Sequence, residues 1–445
     1  MNEQLNLFPL LETSKKGNKP KNSISKRRVN SPVRNQVVMR NSSLEDMLPE
    51  DHRARSIWDY VQKLDLTLIF EKILVCQGGV GRSATDPYLL LALWIYAIVE
   101  GIGSARVIER YCSEHIAFQW LCGEVKVNHH TISDFRTKYK DELDDLLTQS
   151  IAILMKQGLV ELKRVAQDGT KVRASAGTSS FRRKETLEKY LKEAKKQVDI
   201  LSKEIEADPL KHVTQIEARR RRAIIERKNK AEEAAKELAV LRKEISKNKG
   251  GYSKKELENR LIEVRVSKTD PIVRKLKMSN GGFAPAYNVQ FATDTKSQAI
   301  VGLEVISCNS DYGQLTPMMK QIYKRYGKLV NEWLADPGYR KIEDIKKAVS
   351  FNKSCKIYIP LMESKKGKIL QKECKEVQEW RQRMEQADTK IIYRERASTA
   401  ECVNAIAKNR GLQQFLVRGL HKVKCVVLLY AITHNVMRGI NLLCN

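Results

Sequence analysis

Residues 160–174 read V-E-L-K-R-V-A-Q-D-G-T-K-V-R-A, and residues 334–340 read L-A-D-P-G-Y-R. The first stretch ends a helix-periodic region and is strand-like in composition, with Asp168 in its middle. The second closes a strand expected over Glu332–Asp336, so Asp336 sits at a strand end before a Pro-Gly turn. If these strands are neighbours, two carboxylates face each other across one sheet edge. Taken singly, Asp-Gly and Asp-Pro-Gly are ordinary turn sequences, and only their combination carries information.

Further strands follow downstream. Tyr287 to Asp294, with Val289 and Phe291 alternating, and Ala299 to Ile306 form a hairpin around the loop Thr295–Gln298. A helix from about Tyr312 to Tyr326 leads to the strand that ends in Asp336, and Lys356–Leu361 makes a fifth strand. A hairpin joined to a βαβ unit gives a mixed α/β sheet, covered by helices expected from Ser398 to Arg410 and from Gly411 onward.

Upstream, residues 44–158 are helical. Asp86-Pro87 is a helix start, and Ser104 opens a short helix. A long helix then follows Asn128-His129-His130-Thr131, with Thr131 and Asp134 spaced as a capping box. Its apolar stripe, Ile132, Phe135, Tyr139, Leu143, Leu146, Ile151 and Leu154, leaves Arg136, Lys138 and Lys140 free. A short helix, a turn and a basic capped helix fit either a helix-turn-helix that reads DNA or an ordinary bundle. The apolar run Tyr88–Val99 spans 12 residues, too short for a bilayer, and reads as a buried core helix.

Residues 178–266 interrupt the sheet with charged helices. Leu187, Leu191, Ala194, Val198, Leu201 and Ile205 step as a coiled-coil seam does, Asp208-Pro209 breaks the helix, and Ala231, Ala234, Leu238, Leu241 and Ile245 resume the stepping. An antiparallel hairpin is expected, because its ends return together and leave the sheet intact. Arg219–Arg222 within it reads as a solvated face or a DNA clamp, and Ser253 with Glu256 caps a third helix.

Charge names the partner. The 445 residues hold 81 Lys and Arg against 53 Asp and Glu, a net charge of +28. Such self-repulsion is relieved by a polyanion, and each Lys or Arg on a duplex releases a counterion, so nucleic acid is expected. Residues 13–35, rich in Lys, Arg, Ser and Asn, read as a flexible basic arm. Nine cysteines without C-x-x-C spacing, and no basic-then-apolar leader, fit a reduced cytoplasmic protein without structural zinc.

Three acidic side chains converging from distant positions suffice for phosphodiester chemistry, because two Mg²⁺ ions about 3.5–4 Å apart take a few carboxylates and leave the rest of their shell to water and phosphate, and a third beside Asp168 and Asp336 is expected near the C-terminus. Tyr393, Arg396, Glu401 and Lys408 occur as Y-x-x-R-x-x-x-x-E-x-x-x-x-x-x-K. Glu401 lies early on a helix that Ser398 is placed to cap, and Lys408, seven residues on, shares its face. Glu401 then holds metal while Arg396 and Lys408 reach phosphates. Asn288 and Gln290 alternate along their strand and read as hydrogen-bonding groups. Asp294 and Asp311 read as a turn residue and a helix cap, and His129 and His130 as packing or phosphate contacts.

The two aspartate blocks and the Y-x-x-R…E…K stretch resemble the three acidic blocks of DDE transposases from bacterial insertion sequences, the last being the tyrosine-arginine-glutamate-lysine signature of one superfamily. D-P-Y-L-L-L-A-L-W-I-Y-A-I-V-E-G at residues 86–101 and N-H-H-T-I-S-D-F-R at 128–136 resemble the InsH-type N-terminal domain of such enzymes. The resemblance implies a ribonuclease-H-like mixed sheet of order 3-2-1-4-5, built from residues 159–177 and 267–445, with a helical DNA-binding domain at 44–158, the helical insertion at 178–266 and the basic arm at 1–43. It implies Mg²⁺, with Mn²⁺ as a substitute, on Asp168, Asp336 and Glu401. It implies Tyr393, Arg396, Lys408, His130 and Arg136 on DNA, and a homodimer that cleaves terminal inverted repeats and joins the freed 3′-hydroxyls to target DNA at the nucleoid, away from any membrane. Two departures stand out: four residues rather than three separate Arg396 from Glu401, which makes Glu395 the alternative third carboxylate, and the insertion follows the first strand. The rival readings are a ribonuclease-H-like nuclease or resolvase and an inactive, transposase-derived repressor.

Overall fold

A computed structural model describes residues 43–74, 83–207, 214–247, 253–361 and 375–443. The basic arm at residues 13–35 and the Asp208-Pro209 break lie outside the described residues.

Asp86 and Pro87 start a helix as their chemistry requires. The Asp86 carboxylate accepts the Tyr88 amide at 2.8 Å, and proline takes the first turn. This helix, α1 (Pro87–Val99), is buried on almost every side. The long helix expected after Asn128 is instead two, α2 (His129–Lys138) and α3 (Lys140–Lys156), meeting at Tyr139, whose ψ of 51° leaves the helical region. Asn128 itself is the cap, its Oδ1 accepting the Thr131 amide at 2.9 Å, so the Thr131–Asp134 box does not form and Asp134 pairs with Lys138 at 2.6 Å. The apolar stripe holds, with Ile132, Phe135, Leu143, Leu146, Ile151 and Leu154 buried. Arg136 is a correction. It is 7% exposed, lies 4.6 Å from the Trp94 ring centroid and donates from Nη1 to the Gly103 carbonyl at 2.6 Å. Position 136 is one turn on from Ile132, so its side chain turns inward and the indole and carbonyl replace its water.

The sheet follows. β1 (Arg164–Arg173) enters it, and the chain then leaves for the insertion. A two-residue ladder, Phe181–Arg182 against Val266–Ser267, closes the base of that excursion. α4 (Lys184–Ala207) and α5 (Gln215–Lys247) run antiparallel: Leu187 packs with Ala234 and Leu238, while Arg227 donates to Gln197 at 3.1 Å. The capping box of Ser253 and Glu256 is present, starting the helix Lys254–Glu263.

β2 (Phe283–Asp294) and β3 (Ile300–Ile306) form the hairpin, α6 (Leu315–Tyr326) crosses the sheet, and β4 (Glu332–Ala335) and β5 (Lys356–Tyr358) complete it. β1 pairs antiparallel with β2 and parallel with β4; β2 pairs antiparallel with β3, and β4 parallel with β5. Arg274–Lys277 adds a short strand to the first residues of β2. This mixed sheet with parallel pairs is compatible with a ribonuclease-H-like fold.

The C-terminal region differs from expectation in its boundaries. α7 (Ala387–Arg396) precedes a π turn at Ala397–Glu401 and α8 (Cys402–Asn409), and the last helix, α9, spans only Leu420–Leu443. Ser398 therefore caps nothing; it lies inside this helical run, its Oγ donating to the Glu395 carbonyl at 3.0 Å. By length and composition α9 is the one helix among the described residues that is apolar enough to cross a membrane, yet 67% of its apolar window is buried in the protein. Asn435 fastens it to the sheet, accepting from the Ile300 amide at 2.8 Å and donating to the Ile300 carbonyl at 2.9 Å. One continuous core joins α1–α3, the sheet residues Val172, Tyr287, Val289 and Phe291, and α9. A second core on the opposite face joins α6 to Trp333, Tyr339 and Ile357.

Candidate active site

Parallel pairing sets Gln167 of β1 opposite Ala335 of β4. The next residues, Asp168 and Asp336, therefore stand side by side where β4 ends. Asp336 starts a single 3-10 turn, Pro337–Tyr339, its Oδ1 accepting the Gly338 amide at 2.8 Å. Asp168 Oδ1 accepts the Gly169 amide, and Oδ2 accepts Nδ2 of Asn404, both at 2.9 Å.

The end of α7, the π turn and α8 bring up the remaining groups. Arg396 places Nη1 at 3.7 Å from Asp168 Oδ1 and donates from Nη2 to Glu401 Oε1 at 2.8 Å, so one guanidinium spans the two carboxylates. Glu395, the alternative third carboxylate, turns elsewhere and pairs with Arg164 at 2.5 Å. The Tyr393 ring lies 5.8 Å from the Arg396 guanidinium. Lys408 is exposed farther along the helix, and His130 is exposed on α2 against His129, which itself pairs with Glu109 at 2.7 Å. Neither Lys408 nor His130 joins the carboxylates, and Arg136 lies inside the core.

Asp311 is the residue that the sequence reading misplaced. The amides of Leu315 and Thr316 at the start of α6 are met by Asp344, at 3.0 and 3.2 Å, so Asp311 is not the cap. Its Oδ1 instead accepts from Asn288 Nδ2 at 2.7 Å and Gln290 Nε2 at 2.6 Å. Gly169 makes this possible: a Cβ there would strike Gln290 Nε2 and stand 2.7 Å from Asp311 Oδ1 and 2.8 Å from Asn288 Oδ1. Gln290 is held in turn by the buried Tyr339 hydroxyl, which donates to its Oε1, while Trp333 donates to Gln167 Oε1 at 3.2 Å. A fixed polar layer thus lies under the aspartates. The signals in the sequence were an aspartate between strand and helix at the sheet edge, and an asparagine three residues beyond Glu401 on one helix face.

Electrostatics mark the cluster. Burial, partly offset by Arg396 and reinforced by Asp336, pushes the Asp168 carboxyl up to about 6. Burial and then the Asp311 charge raise Asp336 as well, and burial lifts the Tyr339 hydroxyl well above its usual range, with the three aspartates adding to it. Among the described residues no three acidic, histidine or cysteine side chains are grouped as a metal cage, and Arg396 stands between Asp168 and Glu401. The donors nevertheless suit a hard divalent cation. They are carboxylate oxygens destabilised as anions, with a buried, unpartnered amide oxygen, Asn404 Oδ1, beside them.

Residues 42–138 match the family described as Transposase domain (DUF772), and residues 350–440 match the family described as Transposase DDE domain. Together they indicate a DDE transposase. The first match covers α1 and α2, and the second covers Glu401, Asn404 and α9; Asp168 and Asp336 lie in the unmatched stretch between. Transposases of this kind act on DNA and use divalent metal ions. No curated protein and no solved structure matches the chain.

Proposed function

We propose that the chain binds the terminal inverted repeats of its own insertion sequence, cleaves the strands there and transfers the freed 3′-hydroxyl ends to target DNA. The observation that carries this reading is the convergence of Asp168, Asp336 and Arg396, with Glu401 on the same guanidinium, at the end of a parallel strand pair. Asp168, Asp336 and Glu401 are the residues to hold Mg²⁺ or Mn²⁺. Bound there, the ions would activate the attacking oxygen and stabilise the leaving one.

The chain's own groups divide the remaining work. Arg396 Nη1 is buried without a hydrogen-bond partner and faces Asp168, the position of a donor awaiting a phosphate oxygen. Phosphate binding would draw the guanidinium off Glu401 and release that carboxylate. Tyr393 supports the guanidinium from beneath, and the exposed Lys408 and His130 track the backbone farther out. Recombination of two ends calls for a homodimer at the nucleoid, in the cytoplasm.

A strand-transfer assay with labelled element ends tests the reading. Joined products in Mg²⁺, lost in Asp336→Asn while gel-shift binding of the ends persists, are expected. Hydrolysed ends without joining would favour a nuclease, end binding without any cleavage would favour a repressor, and undiminished nicking by Asp336→Asn would remove that residue from the site.

A further inference from the structure

We propose that Asp311 is a fourth acidic ligand of the divalent-cation site, acting with Asp336, and that the Asn404 side-chain oxygen completes the ligand set beside Asp168. The inference rests on the metal-dependent reading above and changes which residues hold the ion.

The two oxygens of Asp311 have different neighbours. Oδ1 is pinned by the amides of Asn288 and Gln290, and Gln290 is itself locked by Tyr339. Oδ2 takes no hydrogen bond from the described residues and lies 3.2 Å from the point that a Cβ on Gly338 would occupy, while Asp336 Oδ1 lies 2.8 Å from that same point. Oxygens of two carboxylates thus border the space that glycine leaves open, and after burial the Asp311 charge is the largest influence raising Asp336. Fixing one oxygen and baring the other is how a ligand is pre-oriented.

Asn404 supplies an independent sign of a ligand. It is 7% exposed, and its Nδ2 must face Asp168 Oδ2, because the opposite orientation would set oxygen against carboxylate. The orientation of Oδ1 is thereby fixed, and that oxygen is buried with no partner. Buried polar atoms without partners are rare, and an amide oxygen beside carboxylates is a ligand that hard cations accept. Glu401 by contrast is 56% exposed and tied to Arg396, so the inner oxygens come from Asp168, Asp311, Asp336 and Asn404, and Glu401 joins once Arg396 is taken by phosphate.

Mn²⁺ titration of the full chain by calorimetry, without DNA and alongside melting curves, tests this. Asp311→Asn keeps an oxygen for Asn288 and Gln290. It is expected to weaken Mn²⁺ binding at least tenfold and to erase the Mn²⁺-induced rise in melting temperature, while the metal-free chain melts no lower than the parent. Gly338→Ala, which keeps every carboxylate but sets a methyl 2.8 Å from Asp336 Oδ1 and 3.2 Å from Asp311 Oδ2, so that they must shift, is expected to weaken Mn²⁺ in the same way. Parental affinity in both variants, with Asp336→Asn still impaired, would overturn the role of Asp311 and leave the metal-dependent reading standing. A parent chain that binds no Mn²⁺, with or without cleaved element ends, would overturn both.

Discussion

Burial keeps the Asp168 carboxyl protonated up to about pH 6 in the metal-free chain, so protons and metal compete for one group. The folded value lies above the ordinary 3.8, and the side chain is only 17% exposed. Its contribution to stability is therefore full below about pH 4 and is lost as pH rises through about 6, a change of about 3 kcal/mol. A bound cation favours the carboxylate and offsets that loss at neutral pH. At pH 5 about a tenth of Asp168 is ionised, so Mn²⁺ should bind about tenfold more weakly than at pH 7. Asp336, shifted in the same direction, steepens the dependence. Calorimetry in two buffers of different ionisation heat counts the protons released, with about one to two expected at pH 5 and almost none at pH 8. Asp168→Asn removes the titration, so in EDTA it should lack the fall of about 3 kcal/mol that the parent shows between about pH 4 and pH 7, whatever the lost hydrogen bond costs at every pH. Flat Mn²⁺ affinity from pH 5 to 7 without proton release, or an Asp168→Asn chain whose stability in EDTA falls with pH as steeply as its parent's, would refute the argument.

Arg136→Met should cost about 1–3 kcal/mol in urea denaturation, through the lost Gly103 bond and Trp94 stacking, and leave the salt dependence of DNA binding unchanged because the guanidinium is buried. Replacing Arg219–Arg222, all exposed on α5, with serine should shift stability by no more than about 0.5 kcal/mol. If the run clamps DNA, it should also flatten the slope of log K against log salt by up to about 3.6, and an unchanged slope assigns it to solvent. His434 is buried, with Nε2 2.8 Å from the Gln298 carbonyl, and burial lowers its value to about 4. Its stabilisation is full above pH 6.5 and disappears as pH falls through about 4, about 3 kcal/mol that His434→Gln should abolish; equal acid sensitivity in parent and variant would count against this.

Local periodicity made the sheet legible. Val289 and Phe291 alternate because that face of β2 meets an apolar core while the other, equally buried face carries Asn288 and Gln290, and the heptad stepping of Leu187 to Leu201 and Ala231 to Leu238 reported α4 and α5 because an apolar seam has few other uses. What depended on distant partners was not legible. Asp311 looked like the cap of α6 because the residue that does cap it, Asp344, lies 29 residues from Leu315 and reaches it only in the fold. Arg136 looked exposed because helical spacing gives a residue's angle but not what stands opposite, here Trp94 and a carbonyl able to receive a cation. Tyr139 looked like a continuation of the stripe, since its side chain suits the helix and only its backbone leaves it.

The four residues between Arg396 and Glu401 are wound into a π turn at Ala397–Glu401. In an uninterrupted α-helix one added residue rotates everything beyond it by about 100°, enough to carry a side chain from one face to the next. A π turn takes up a residue within one wide turn, and such bulges occur most often where helices serve functional sites. Here α7 and α8 continue as a single rod across it, and residues on both sides of the bulge converge on β1: Arg396 from before it and Asn404 from after it both reach Asp168. The wide turn thereby sets the face that α8 shows to the sheet, and with a regular helical turn in its place Asn404 would be rotated away from Asp168.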